Sequence, residues 1–137
     1  MIIADTGAVV ALIDADDRHH GGMRKLFEGN PDAWVLPWAV LPEVDYLVAT
    51  HVGSRAEEMF LSDLAAGVFC VEWGREADLV RSRELSARHR ALKLGLVDGV
   101  VIAVAERLGV EAIATLDLRH IGAVTIRGRP RILPRDG

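Results

Sequence analysis

Four acidic residues lie against apolar runs that a folded chain is expected to bury. Asp5 ends Met1-Ile2-Ile3-Ala4, and Glu43 lies within Ala39-Val40-Leu41-Pro42-Glu43-Val44. Asp98 opens the run from Val97 to Ile102, and Asp117 follows Ala112 to Leu116. Carboxylates are rarely buried without a partner. If the fold brings them within ~5 Å of one another, each pair repels by roughly 3 kcal/mol at an effective dielectric near 20. Such a cluster requires raised pKa values or a bound cation. Hard divalent metals take oxygen ligands of this kind, and carboxylate-held Mg²⁺ or Mn²⁺ is a common arrangement for phosphoryl chemistry.

The pattern along the chain says where these acids fall. Ile2 to Asp5 reads as a short buried strand, and Ala8 to Ile13 as a helix apolar on all sides. Asp14 to Gly22 is a polar loop opening a second helix through Met23, Leu26 and Phe27, which Gly29-Asn30-Pro31 stops. Trp34 to Leu36 is a second strand. A third helix carries Val40, Leu41, Val44, Leu47 and Val48, with Pro42 tolerable near its start. Ser54-Arg55-Ala56-Glu57 reads as a capping box, and Gly67 closes the helix it opens. Val68 to Val71 is a third strand, Glu76 to Leu92 a long amphipathic helix, and Val97 to Leu108 an apolar helix ending at Gly109. Glu111 to Leu116 is a fourth strand, and Ala123 to Ile126 is expected to be a fifth. Strands alternating with helices indicate an α/β fold with a mostly parallel sheet. Asp5 and Asp117 then stand at carboxyl ends of strands, while Glu43 and Asp98 stand in the first turns of helices. Open α/β sheets bind ligands at those ends, beside a topological switch point. All four acids can therefore converge in one crevice.

A chain of 137 residues suits one domain with one core, spanning residues 1–137. No apolar run is long enough to span a membrane, and the start lacks the basic region of a signal peptide. Cys70 is the single cysteine, which fits a reducing cytoplasm; its apolar neighbours mark it as a core residue. The net charge of −4 argues against a generic polyanion binder. Positive charge nevertheless gathers at Arg81, Arg83, Arg88, Arg90 and Lys93, then at Arg127, Arg129, Arg131 and Arg135. These groups read either as solvated helix faces and a mobile tail, or as phosphate contacts around an acidic centre.

Ile3-Ala4-Asp5-Thr6-Gly7, Leu41-Pro42-Glu43-Val44, Leu96 to Glu106 with Leu108-Gly109, and Ala114-Thr115-Leu116-Asp117 follow one another in order. In these pieces the chain resembles the PIN-domain nucleases, and most closely the VapC-type toxins of bacterial toxin–antitoxin pairs. The resemblance covers nearly the whole chain. It implies a three-layer α/β/α sandwich with a mostly parallel central sheet, dependence on Mg²⁺ or Mn²⁺, and cleavage of RNA. It also assigns the metal and catalytic positions to Asp5, Glu43, Asp98 and Asp117, with Thr6 and Thr115 donating hydroxyl hydrogen bonds to those carboxylates. The partners implied are an RNA substrate, a VapB-type antitoxin and a second copy of the chain. Apolar or aromatic surface near Trp38, Tyr46, Phe60 or Leu64 is the expected antitoxin contact, although each also reads as core. Gly99 replaces the family's usual alanine-like residue and is expected to loosen the start of its helix. Gly7 stands where serine is also common.

Other readings fit less of the chain. Asp5-Thr6-Gly7-Ala8 is also the triplet of aspartic proteases, but those are all-β and this chain has several helical patterns. A receiver domain needs adjacent acids after its first strand and a late lysine, whereas the only lysines are Lys25 and Lys93. A PIN-like module that binds RNA or protein without cutting is the stronger rival, and the presence of all four acids argues against it. The Asp14, Asp16, Asp17, His19, His20 cluster lacks a second group with zinc-ligand spacing; it reads as a loop beside the crevice, with a histidine touching substrate. His51, His89 and His120 read as solvent-facing or helix-terminal. Asp45, Asp63 and Asp78 read as surface charges, with Asp45 close enough to Glu43 to support it.

Overall fold

A computed structural model describes residues 1–137. Its centre is a sheet of five short strands: β1 (Ile2–Ala4), β2 (Trp34–Pro37), β3 (Cys70–Glu72), β4 (Ala112–Ala114) and β5 (Arg131–Leu133). They lie in the order β3-β2-β1-β4-β5, and every pairing is parallel. Parallel neighbours need crossover connections, and six helices supply the layers on the two faces. They are α1 (Thr6–Ile13), α2 (His20–Gly29), α3 (Leu41–His51), α4 (Ser54–Ala66), α5 (Glu76–Arg88) and α6 (Leu96–Leu108). Helix α1 packs on α2 and α3, and α3 on α4, while α5 and α6 pack on each other. The chain is thus an α/β/α sandwich. No helix is long and apolar enough to cross a membrane.

Burial explains the composition of the central elements. Ile2, Ile3, Ala4, Leu36, Ala112, Ile113 and Ala114 are all shut from solvent, as strands covered on both faces must be. Helix α6 is buried from Gly99 through Ala105, which accounts for its nearly unbroken apolar run. Gly109 closes it in the left-handed conformation at φ 60°, its N–H reaching Ala105 and Glu106 carbonyls. Gly99 has a packing role at this helix. A methyl group there would sit 2.1 Å from Ser82 Oγ, so the missing side chain is what lets α5 approach α6 beside Asp98.

Several local expectations change. The fifth strand is Arg131–Leu133, not Ala123 to Ile126; residues Ile121–Ala123 form a 3-10 turn instead. Arg131 is therefore part of the sheet rather than a mobile tail, with its N–H on the Glu111 carbonyl at 2.9 Å. Ser54 does not cap α4, because Gly53 occupies the cap at φ 136° and its N–H bonds back to Val48, ending α3. Helix α5 stops at Arg88, and Arg90–Leu92 is a separate 3-10 turn before Lys93 in the left-handed region. Cys70 is exposed because β3 is an edge strand. Asp78 is buried, not a surface charge. Arg107 grips it through two bonds of 2.7 and 2.9 Å and adds Glu72 at 2.8 Å. Burial alone would raise the Asp78 pKa; the Arg107 guanidinium and the Arg75 N–H outweigh it and hold the carboxyl below its usual range.

Candidate active site

The sheet order places a switch point at β1. The chain leaves β1 toward β2 and β3 on one side, then returns to lay β4 and β5 on the other. The crevice this opens lies at the carboxyl ends of β1 and β4. Asp5 follows β1 directly, and Thr115 and Asp117 follow β4. The first turns of α3 and α6 bring Glu43 and Asp98. Three helix N-termini, those of α1, α3 and α6, therefore carry an acid each, and their dipoles favour negative charge there.

Hydrogen bonds fix the carboxylates. Asp5 is 5% exposed and caps α1, with Oδ1 accepting from the Thr6 N–H at 2.8 Å. Its Oδ2 accepts from the Thr115 hydroxyl at 2.9 Å. The same Thr115 oxygen accepts from the Asp117 N–H at 3.0 Å, so one threonine ties the β1 acid to the β4 acid. The Thr6 hydroxyl donates to Glu43 Oε1 at 2.6 Å, holding an otherwise exposed side chain over the crevice. The family resemblance pointed to both threonines, and each donates to a defined carboxylate.

The charges are close enough to feel one another. Burial pushes the Asp5 pKa up to about 6; the Thr6 and Thr115 hydrogen bonds oppose the rise, and the charges of Asp98 and Asp117 add to it. Asp98 is also raised, first by burial and then by Asp117, with His120 opposing and Glu43 contributing. These couplings link all four acids in one field. The donor set fits a hard divalent cation, since a positive ion would offset both the burial that chiefly raises Asp5 and Asp98 and the repulsion that adds to it.

His120 belongs to this site, against the expectation that it faces solvent. Its Nδ1 lies 3.1 Å from Asp98 Oδ2 and 3.2 Å from Asp117 Oδ2. Its backbone N–H donates to Asp117 Oδ1 at 3.0 Å. The turn after β4 thus presents Asp117 and His120 from the same side, and the three-residue spacing was the only available signal. The other histidines lie elsewhere. His20 bonds through Nδ1 to the Ala11 carbonyl at 2.9 Å and lines an apolar groove, not the acidic crevice. His19 contacts Arg18. Asp45 supports nothing at Glu43; it faces Glu57 across α3 and α4, and that contact raises the Glu57 pKa.

Comparison with known proteins agrees with this architecture. The PIN domain profile matches residues 2–124, and the chain belongs to the PIN-domain family. Ribonuclease VapC26 of Mycobacterium tuberculosis is 32% identical over 123 residues, 90% of this chain and 91% of that protein, which places the chain with the family's VapC-type ribonucleases. The crystal structure of VapC20 from Mycobacterium tuberculosis, described as a sarcin–ricin loop cleaving toxin, superimposes with a TM-score of 0.80. That match has 24% identity and covers 91% of this chain and 97% of the other. FitAcB from Neisseria gonorrhoeae matches with a TM-score of 0.65 at 16% identity, covering 96% of each chain.

Proposed function

We propose that this chain, as one nuclease domain over residues 1–137, is a Mg²⁺- or Mn²⁺-dependent endoribonuclease and the toxin of a type II toxin–antitoxin pair. The observation that carries the reading is the convergence of Asp5, Glu43, Asp98 and Asp117 at the switch point, where burial first and neighbouring charge second raise the pKa values of Asp5 and Asp98. Asp5 and Asp98 would hold the cation, Asp117 would complete the set, and Glu43 would orient the metal or its water. Thr6 and Thr115 keep Glu43 and Asp5 in place. The cation, when bound, neutralises phosphate charge and makes water a better nucleophile. Water adds to phosphorus as the bond to the 3′-oxygen breaks, leaving a 5′-phosphate and a 3′-hydroxyl.

The partners follow from the same family membership. A VapB-type antitoxin silences the protein in the cytoplasm, and the toxin acts as a homodimer. A groove of about 440 Å³ between α1, α2 and α4 supports an apolar contact for the antitoxin. Exposed Met59 lies at it and Phe60 forms part of its lining. Trp38 and Leu64 pack partly into the core, and Tyr46 stands exposed elsewhere on α3.

Cleavage of a mixed RNA pool tests the reading, with wild-type and Asp98→Asn protein, in Mg²⁺, Mn²⁺ and chelator. The pool should include a sarcin–ricin loop hairpin. Metal-dependent cutting that the variant lacks is the expected result. A folded, antitoxin-free protein that cuts no RNA would make the non-cutting module the better reading.

A further inference from the structure

We propose that His120 is a nitrogen ligand of the metal centre, forming with Asp98 and Asp117 a mixed subsite that prefers Mn²⁺ to Mg²⁺. The proposal rests on the metal-dependent reading above but goes beyond the four carboxylates.

Three observations support it. First, one oxygen from each of the two acids and a ring nitrogen of His120 lie within 4.8 Å of one another. Second, His120 Nδ1 is nearly equidistant from the two carboxylates, at 3.1 and 3.2 Å. One ring nitrogen carries at most one proton, which cannot serve both oxygens well. Donors around a shared ion fit these two nitrogen–oxygen spacings: an octahedral ion with ligands at about 2.1 Å sets neighbouring donors about 3.0 Å apart. Third, the turn that carries the ring is held in place. The His120 N–H bonds to Asp117 Oδ1, so the backbone of the ligand and the side chain of its neighbour fix each other. This leaves Asp117 Oδ2 facing the shared centre, while Thr115 anchors the Asp117 backbone from below.

Imidazole changes the ion that the site selects. An all-oxygen set suits Mg²⁺, whereas a nitrogen donor shifts preference toward transition metals. The subsite should therefore bind Mn²⁺ more tightly than carboxylates alone would.

Mn²⁺ binding to metal-free protein tests this without any cleavage assay. Pulsed EPR of the Mn²⁺ complex should show coupling to a ¹⁴N nucleus, replaced by ¹⁵N coupling when histidine is labelled. In His120→Asn, that coupling should vanish, Mn²⁺ affinity should fall by about tenfold, and Mg²⁺ affinity should change much less. A labelled wild-type spectrum without histidine coupling overturns the proposal even if the variant folds poorly, and His120→Gln gives a second variant for the assignment. Tight Mn²⁺ binding without nitrogen coupling overturns the proposal and leaves the nuclease reading standing. Failure of the wild type to bind either ion overturns both. Coupling that persists in a folded His120→Asn protein assigns the nitrogen to another histidine and also overturns the proposal.

Discussion

Asp5→Asn should stabilise the metal-free protein at neutral pH while removing its activity. Burial and neighbouring charges lift the Asp5 pKa from 3.8 to about 6. Between those values the folded state binds a proton that the unfolded state releases, so stability falls as pH rises through that window. Above it the folded protein carries the whole penalty, about 3 kcal/mol for a shift of roughly two units. Asparagine is never charged and avoids it. The change has its own cost, because the Asn amide nitrogen cannot accept from the Thr115 hydroxyl as Oδ2 does. A lost hydrogen bond of this kind is worth about 1–2 kcal/mol. The variant should therefore gain about 1–2 kcal/mol at pH 7.5 in chelator, and be slightly less stable than wild type at pH 4. Urea unfolding of both proteins at the two pH values measures this directly, with the denaturant slope as a check on comparable unfolding. Saturating Mn²⁺ should reverse the neutral-pH order, since an ion at a hundred times its Kd stabilises wild type by about 2.7 kcal/mol. A variant that is less stable than wild type in chelator at pH 7.5, or a difference that does not change with pH, would refute the argument that buried charge strains this site.

Two further perturbations test the frame that holds the crevice. Arg107→Met leaves Asp78 and Glu72 without their shared cation, and stability should drop by about 3–5 kcal/mol by urea unfolding at pH 7; a loss below 1 kcal/mol would mean water replaces the guanidinium. Gly99→Ala forces a methyl group onto Ser82, at an expected loss of about 1–3 kcal/mol. Adding Ser82→Gly should recover part of it despite the helix propensity of glycine, and no recovery would place the strain elsewhere.

What the sequence discloses depends on how local the physical cause is. Asp5, Glu43, Asp98 and Asp117 stand out because each interrupts an apolar run, and a buried run with a charged end is visible in a few residues. Helix α6 is legible for the same reason. Strand β5 is not, since Arg131-Ile132-Leu133 is three residues long at a sheet edge, while Ala123 to Ile126 has the stronger β-branched pattern. Asp78 lies among Glu76, Ala77 and Leu79 like any surface acid; its burial is set by Arg107, 29 residues later. His120 is the instructive case. Nothing in Leu118-Arg119-His120 distinguishes it from a solvent-facing loop, and its role appears only once β4 fixes where Asp117 points and α6 brings Asp98 alongside. A site assembled across a topological switch point is built from elements far apart in the chain. Its anchors can be read from apolar context, but residues that complete it answer to three-dimensional distance alone. The residues between such anchors and the next element, within three or four positions of an acid that ends a strand, are therefore where a sequence reading of this fold should look for further ligands.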